Sequence, residues 1–287
     1  MSRLVVLYCA VSAVLSAGTC FSGIPRSGSD PVIEQTPLLA RPSTLSERYA
    51  PPRGFVRTPG NEGSFSAFLR RLPLKPEGSQ VHLFNGDLKR WQGAQAAVID
   101  MSVGAKDLQQ CADAVMRLRA EYLFSTDQTA NIQFSFTNGF SAPFARWIKG
   151  ERITVKGNEC AWVTGANPGA THHDLLNYLQ VVFTYAGTLS LSKELEDASA
   201  LPVQPGDLFI HGGSPGHAVI VADVATSALG EQVFMLAQSY MPAQEIHVLR
   251  NLENTELSPW YKMDQGSELL TPEWRFSWAE RKRWKSP

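Results

Sequence analysis

The chain predicts one α+β domain in which N-terminal helices pack on a mostly antiparallel sheet. Three observations lead there. Segments such as Ser64–Leu72, Asp107–Leu123 and His173–Tyr185 repeat apolar residues at spacings of three and four, the period of a helix with one face on a core. After residue 205 the pattern changes to short runs rich in β-branched and aromatic residues, the signature of successive strands. No strand–helix–strand rhythm and no internal repeat accompanies them, so a parallel doubly wound sheet is not expected.

The elements follow in order. Arg3 precedes an apolar stretch from Leu4 to Ala17 that closes on the small residues Ser16, Ala17 and Gly18. That is the layout of a secretory signal peptide over residues 1–19, too short for a comfortable membrane span. Cys20 follows directly, and Ala17-Gly18-Thr19-Cys20 is an imperfect lipoprotein cleavage site, with Thr19 the poor fit. Plain export, lipid anchoring at Cys20 and retention as an uncleaved anchor all stay open. Residues 20–53 are rich in Pro, Ser and Gly and read as a flexible tether. A single globular domain is expected over 54–287.

Within it, Phe65, Phe68, Leu69 and Leu72 line a short helix stopped by Pro73. Residues 80–84 and 97–101 read as strands, with a turn at Asn85-Gly86. Asp107 is the expected N-cap of the next helix, which places Cys111 four residues beyond it. Ile132–Phe136 alternates as a strand, Asn138-Gly139 turns the chain, and residues 142–148 form a helical turn before the helix from His173. Asp207–Ile210, His217–Ala222, Gln232–Gln238 and Glu245–Leu249 should form an antiparallel meander.

Composition excludes more than it proposes. The 287 residues are 44% hydrophobic and 18% charged with a formal net charge of −1, so neither disorder nor nucleic-acid binding is expected. No cofactor is expected, and the only membrane contact foreseen is the candidate anchor at Cys20.

Chemistry concentrates in two segments. A cysteine in the first turns of a helix sits where the positive helix end favours a thiolate. A histidine leading the run His217-Ala-Val-Ile-Val-Ala, behind the loop Gly212-Gly-Ser-Pro-Gly, has small neighbours that leave room for a ligand. Together, Cys111 as nucleophile and His217 as proton shuttle make a thiol–imidazole pair of the papain-like kind. Gln238 is the expected orienting group for His217, and Gln110 the expected oxyanion donor. Two other readings of Cys111 stand beside this. Leu108, Cys111, Val115, Leu118 and Tyr122 share one helical face, so the thiol is equally a small core hydrophobe. An oxidising compartment would also permit a Cys111–Cys160 disulfide.

Pro205-Gly-Asp-Leu-Phe-Ile followed by Gly-His-Ala-Val-Ile-Val resembles the histidine half of the NlpC/P60 cell-wall peptidases. The cysteine half differs, with Gln-Cys-Ala-Asp-Ala where that family has Asp-Cys-Ser-Gly-Phe, and the Cys-to-His gap needs an insertion of roughly 50 residues. That resemblance implies a papain-like core. Over nearly the whole mature chain the sequence also resembles an uncharacterised bacterial family, domain of unknown function 4846. The match is carried by Leu69-Arg-Arg-Leu-Pro-Leu-Lys-Pro, the Asp107–Leu123 segment, Phe134-Ser-Phe-Thr-Asn-Gly-Phe, Gly212-Gly-Ser-Pro-Gly-His-Ala and Ala237-Gln-Ser-Tyr-Met-Pro-Ala-Gln. That name implies no activity.

Competing sites are weaker. His211, His217, Asp223 and His172-His173-Asp174 could be recast as a zinc site, although their spacing matches no established ligand pattern. Asn138, Trp147 and Arg152 could line a substrate groove or simply pack the domain. Trp260, Trp274, Trp278 and Trp284 suit packing over the sheet better than a glycan platform. The leading expectation is an exported cysteine hydrolase of the periplasm or cell envelope, cutting an amide bond in a peptidoglycan-like peptide. A non-catalytic surface protein binding peptide or glycan on the same scaffold is the alternative, and a metal-dependent hydrolase the second.

Overall fold

A computed structural model describes residues 43–263 and 268–285, which fall in a unit spanning residues 41–287. The expected leader, Cys20 and the first part of the expected tether lie outside the described residues. Among the described residues no helix is long and apolar enough to cross a membrane.

The first half carries α1 (Leu45–Arg48), β1 (Phe55–Arg57), α2 (Phe65–Arg70), β2 (Gln95–Val98) and α3 (Cys111–Ser125). Next come β3 (Gln133–Ser135), β4 (Ser141–Pro143), α4 (Phe144–Trp147), β5 (Glu151–Lys156), β6 (Glu159–Thr164), α5 (His172–Tyr185) and α6 (Thr188–Glu194). The second half is almost all strand: β7 (Glu196–Asp197), β8 (Leu208–His211), β9 (His217–Ser227), β10 (Gln232–Gln238), β11 (His247–Leu249), β12 (Trp260–Lys262), β13 (Glu268–Leu270), β14 (Arg275–Ser277) and β15 (Arg281–Arg283). The α+β expectation holds, with the main sheet in the order β2-β11-β10-β9-β8-β15-β7. Its pairings are antiparallel, and β8 to β11 form the expected meander.

The sheet positions everything else because β9 is buried on both faces. Ala218, Ile220 and Ala222 face the helices, among Val115 and Leu118 of α3, while Val219 and Val221 face a second apolar layer containing Phe209, Leu269 and Phe276. Each of the larger side chains among these, such as Ile220, Val219 and Val221, contributes about 1.5–3 kcal/mol through burial. A bulge interrupts the alternation: Leu236 pairs Val221 but Met235 pairs Asp223, leaving Ala222 unpaired. The bulge turns Asp223 toward Arg57 and Arg70, whose Nε atoms each approach its carboxylate to 2.6 Å.

Two sequence expectations need correction. The tether does not run to residue 53. Thr44 caps α1, Leu45 is fully buried, and Thr44 bridges to Pro73, so folded structure is already in place at residue 44. The apolar Leu45 and the capping-box spacing Thr44-x-x-Glu47, inside a Pro/Ser-rich segment, were the local signs. Asp107 is not the cap of α3. The helix begins at Cys111 with Gln110 as N-cap, and Asp107 Oδ1 instead accepts hydrogen bonds from Gln110 Nε2 (3.1 Å) and the Ala243 N–H (2.6 Å). The β5–β6 hairpin, α6 and the strands after β11 were not foreseen.

Candidate functional site

Because α3 starts at Cys111, the thiol occupies its first turn, where backbone N–H groups lack intrahelical acceptors. Cys111 is 8% exposed and sits at the wall of a cavity of about 420 Å³. Asp107, Gln110, Asp113, Thr188, the Gly213–Gly216 loop and Met241 are among the other residues of that wall. The loop is tight: a Cβ on Gly216 would lie 2.3 Å from Thr188 Oγ1 and 2.4 Å from the Gly213 carbonyl, so only glycine fits. The small residues thus serve close packing of the loop on α6 as well as access to the thiol.

The backbone N–H groups of Ala112, Ala218 and Cys111 itself favour the thiolate, but burial and then the Asp113 carboxyl outweigh them and push the thiol up to about 11. Ala218 is the residue after His217, so helix start and strand start meet at the thiol. Asp113 is itself buried, and burial lifts its carboxyl to about 8 against the opposing Gln110 and Asp113 N–H groups. Its Oδ2 accepts the Gln110 N–H at 3.1 Å, while its Oδ1 has no partner.

His217 is buried on the face of the sheet opposite α3, with its ring 4.8 Å from Tyr240, 5.3 Å from Trp274 and 5.8 Å from Phe276. Its Nε2 meets Gln238 Oε1 at 2.8 Å, the expected orienting contact. The rest of that amide fixes the tautomer. Gln238 Nε2 donates to Glu273 Oε2 at 2.7 Å, so Oε1 must face the imidazole and His217 Nε2 must carry the proton. Nδ1 is left with the lone pair. Lys89 Nζ lies 2.5 Å from the same Glu273 oxygen and 3.4 Å from His247 Nε2, and His247 Nδ1 donates to the Glu245 carbonyl at 2.9 Å. Burial first, and Lys89 in addition, hold His217 down at about 4 and His247 at about 3; the Gln238 contact opposes this for His217. Among the described residues no hydrogen bond joins Cys111 to His217. The resting pair is a neutral thiol and a neutral imidazole.

The other expected residues separate. Gln110 lines the cavity but spends its amide on Asp107. Asn138 closes a turn, with Nδ2 on the Asn158 carbonyl (2.8 Å) and Cys160 Sγ (3.2 Å) and Oδ1 on the Phe140 N–H (2.9 Å). Arg152 stacks on Trp147 at 4.1 Å and donates to its carbonyl, away from the thiol cavity wall. Cys111 and Cys160 are both free thiols, so the disulfide reading falls. The zinc candidates have other partners: Asp223 holds two arginines, His172 meets Glu121 at 2.8 Å and His211 meets Glu280 at 2.5 Å. Among the described residues no group of three or more His, Cys, Asp or Glu is placed to hold a metal ion.

Sequence reasoning missed Lys89, Glu273 and Asp113, and placed Trp274 only among residues packing over the sheet, not against His217. Lys89 and Glu273 meet across 184 positions, which no local pattern announces. Asp113 had a signal, since Gln110-x-x-Asp113 is the spacing of a capping box.

Comparison with known proteins finds one family: the model described as domain of unknown function (4846) matches residues 45–283. No curated protein and no solved structure matches the chain.

Proposed function

We propose that this chain, which belongs to the family described as domain of unknown function 4846, is a cysteine-dependent amide hydrolase with a papain-like core of the NlpC/P60 kind. The observation that carries the reading is the chain Glu273–Gln238–His217, which leaves Nδ1 of a buried imidazole as a base one residue from the amide that touches Cys111. In turnover Nδ1 takes the thiol proton as Sγ bonds to the substrate carbonyl carbon. The imidazolium then gives that proton to the departing nitrogen as the C–N bond breaks. Water, deprotonated by Nδ1, cleaves the thioester and restores the thiol. Turnover requires Sγ and Nδ1 within about 3–4 Å, so the His217 side chain must come round on binding from the opposite face of the sheet, where it packs on Phe276. The N–H groups of Cys111 and Ala112 are better placed than the Gln110 side chain to receive the oxyanion.

The substrate class is a cell-wall peptide, and export, with residues 1–19 as leader, gives access to it. Incubating wild type with peptidoglycan fragments and quantifying new amino groups tests this. Release by wild type, abolished in Cys111→Ser and His217→Gln with unchanged circular dichroism, is the expected result. Equal release by Cys111→Ser would end the nucleophile claim.

A second reading has its own support. A thiol held at about 11 and an imidazole held at about 4 on the opposite face of the sheet suit a protein that binds peptide in the cavity without cutting it. Saturable peptide binding with no amine release would favour it.

A further inference from the structure

The geometry points to a second cavity, beside the Cys111 cavity, that binds a carboxylate carried on a short aliphatic group. Its role as a substrate pocket rests on the proposed hydrolase reading; the binding itself does not. The cavity measures about 210 Å³, somewhat larger than the ~150 Å³ space that admits benzene in an engineered core. Leu108 and Phe183 belong to its wall and to that of the thiol cavity, so the two are neighbours across these side chains. Leu176 and Leu179 of α5, with Val103 and Ala105, make the rest of the apolar lining.

Against that lining stand Gln109 and Arg117. Gln109 is 2% exposed, and its Nε2 has no hydrogen-bond partner. The amide cannot be turned over to relieve this, because Arg117 Nη1 donates to Oε1 at 3.1 Å and requires the oxygen there. A buried donor left unpaired is costly, and an acceptor brought to it from the cavity would relieve that cost. Charge selects the kind of acceptor. Arg117 and Lys106 bring two cations to the lining, and among the described residues the only carboxylate bonded to them is Glu121, through Arg117 Nε at 2.6 Å. An anion therefore fits better than a neutral carbonyl, and the leucines and Phe183 specify what it is attached to. A peptide whose free carboxylate sits at the end of an aliphatic arm would be anchored here while a neighbouring amide reaches the thiol.

The test is calorimetric titration with 4-methylpentanoate and with 4-methylpentanamide. Wild type should bind the acid saturably and about tenfold or more tighter than the amide, the size of one charge-assisted hydrogen bond. Gln109→Glu keeps the shape and the acceptor for Arg117 but replaces the free donor, so it should weaken the acid at least tenfold. Leu176→Trp, at a half-buried wall position, should block both compounds. No saturable binding, equal affinity for acid and amide, or acid binding unchanged in both variants would overturn the pocket. Cys111→Ser separates the two claims: acid binding that persists there, with no peptide hydrolysis by wild type, keeps the pocket and removes the hydrolase.

Discussion

His217 and Gln238 are joined by a 2.8 Å contact between Nε2 and Oε1, and Glu273 dictates its direction by taking the other end of the amide. One carboxylate thus sets which imidazole nitrogen is basic. Replacing Gln238 with Leu keeps the volume and removes that control. For the proposed hydrolysis, the expected result is a fall in kcat of about 10²-fold with KM little changed, the range in which positioned proton transfer acts. Nitrogen NMR of the His217 ring should show loss of the pure Nε2–H form. Wild-type kcat in Gln238→Leu would remove the amide from the mechanism.

The thiol carries a prediction about rate against pH. Burial and the Asp113 carboxyl together place it at about 11, so alkylation of wild type should be slow at pH 7 and climb well above pH 9. Asp113→Asn removes the anion and should shift the labelling curve to lower pH. Stopped-flow alkylation of both proteins decides it, and identical curves would mean that Asp113 does not act on the thiol.

Folding stability should show opposing slopes. His217 and His247 lie at about 4 and about 3 in the folded state against 6.5 when free, so the unfolded chain binds more protons between these values. Stability from this source is present above pH 6.5 and lost as pH falls toward 3. Asp113 has the opposite sign: at about 8 against 3.8, the folded chain holds the extra proton, so its contribution is present below pH 4 and lost as pH rises toward 8. Urea unfolding of His247→Gln minus wild type should therefore slope between pH 3 and 6.5, and Asp113→Asn minus wild type between pH 4 and 8. Flat differences would mean these groups titrate alike in both states.

Legibility in the sequence followed the range of the interaction. The meander was readable because each strand announces itself over a few residues, as in His217–Ala222. Cys111, His217 and Gln238 were readable as chemistry placed in apolar runs. What stayed hidden depends on distant partners. The Glu273 side chain that orients Gln238 comes from the segment between β13 and β14, and β15 reads Arg-Lys-Arg, with no apolar pattern at all. The start of α3 was misplaced by three residues because Asp107 looks like a cap but bonds to the β10–β11 connection.

The same logic gives Asp207 a structural role that its place beside Gly206 does not reveal. Asp207 is fully buried and bonded to Arg281 Nη1 at 2.7 Å and to Arg283 Nε at 2.6 Å, so a strand with no apolar residues is held to β8 by one carboxylate. Removing one partner of a buried pair strands the other charge, at a cost of about 3–5 kcal/mol. Arg281→Met should fall near the lower end, since Arg283 remains, and Asp207→Leu should cost more, because two guanidinium groups lose their counter-charge. The loss should appear as a lower urea midpoint with an unchanged slope. A midpoint within error of wild type in Asp207→Leu would show that β15 is held by its backbone pairing alone.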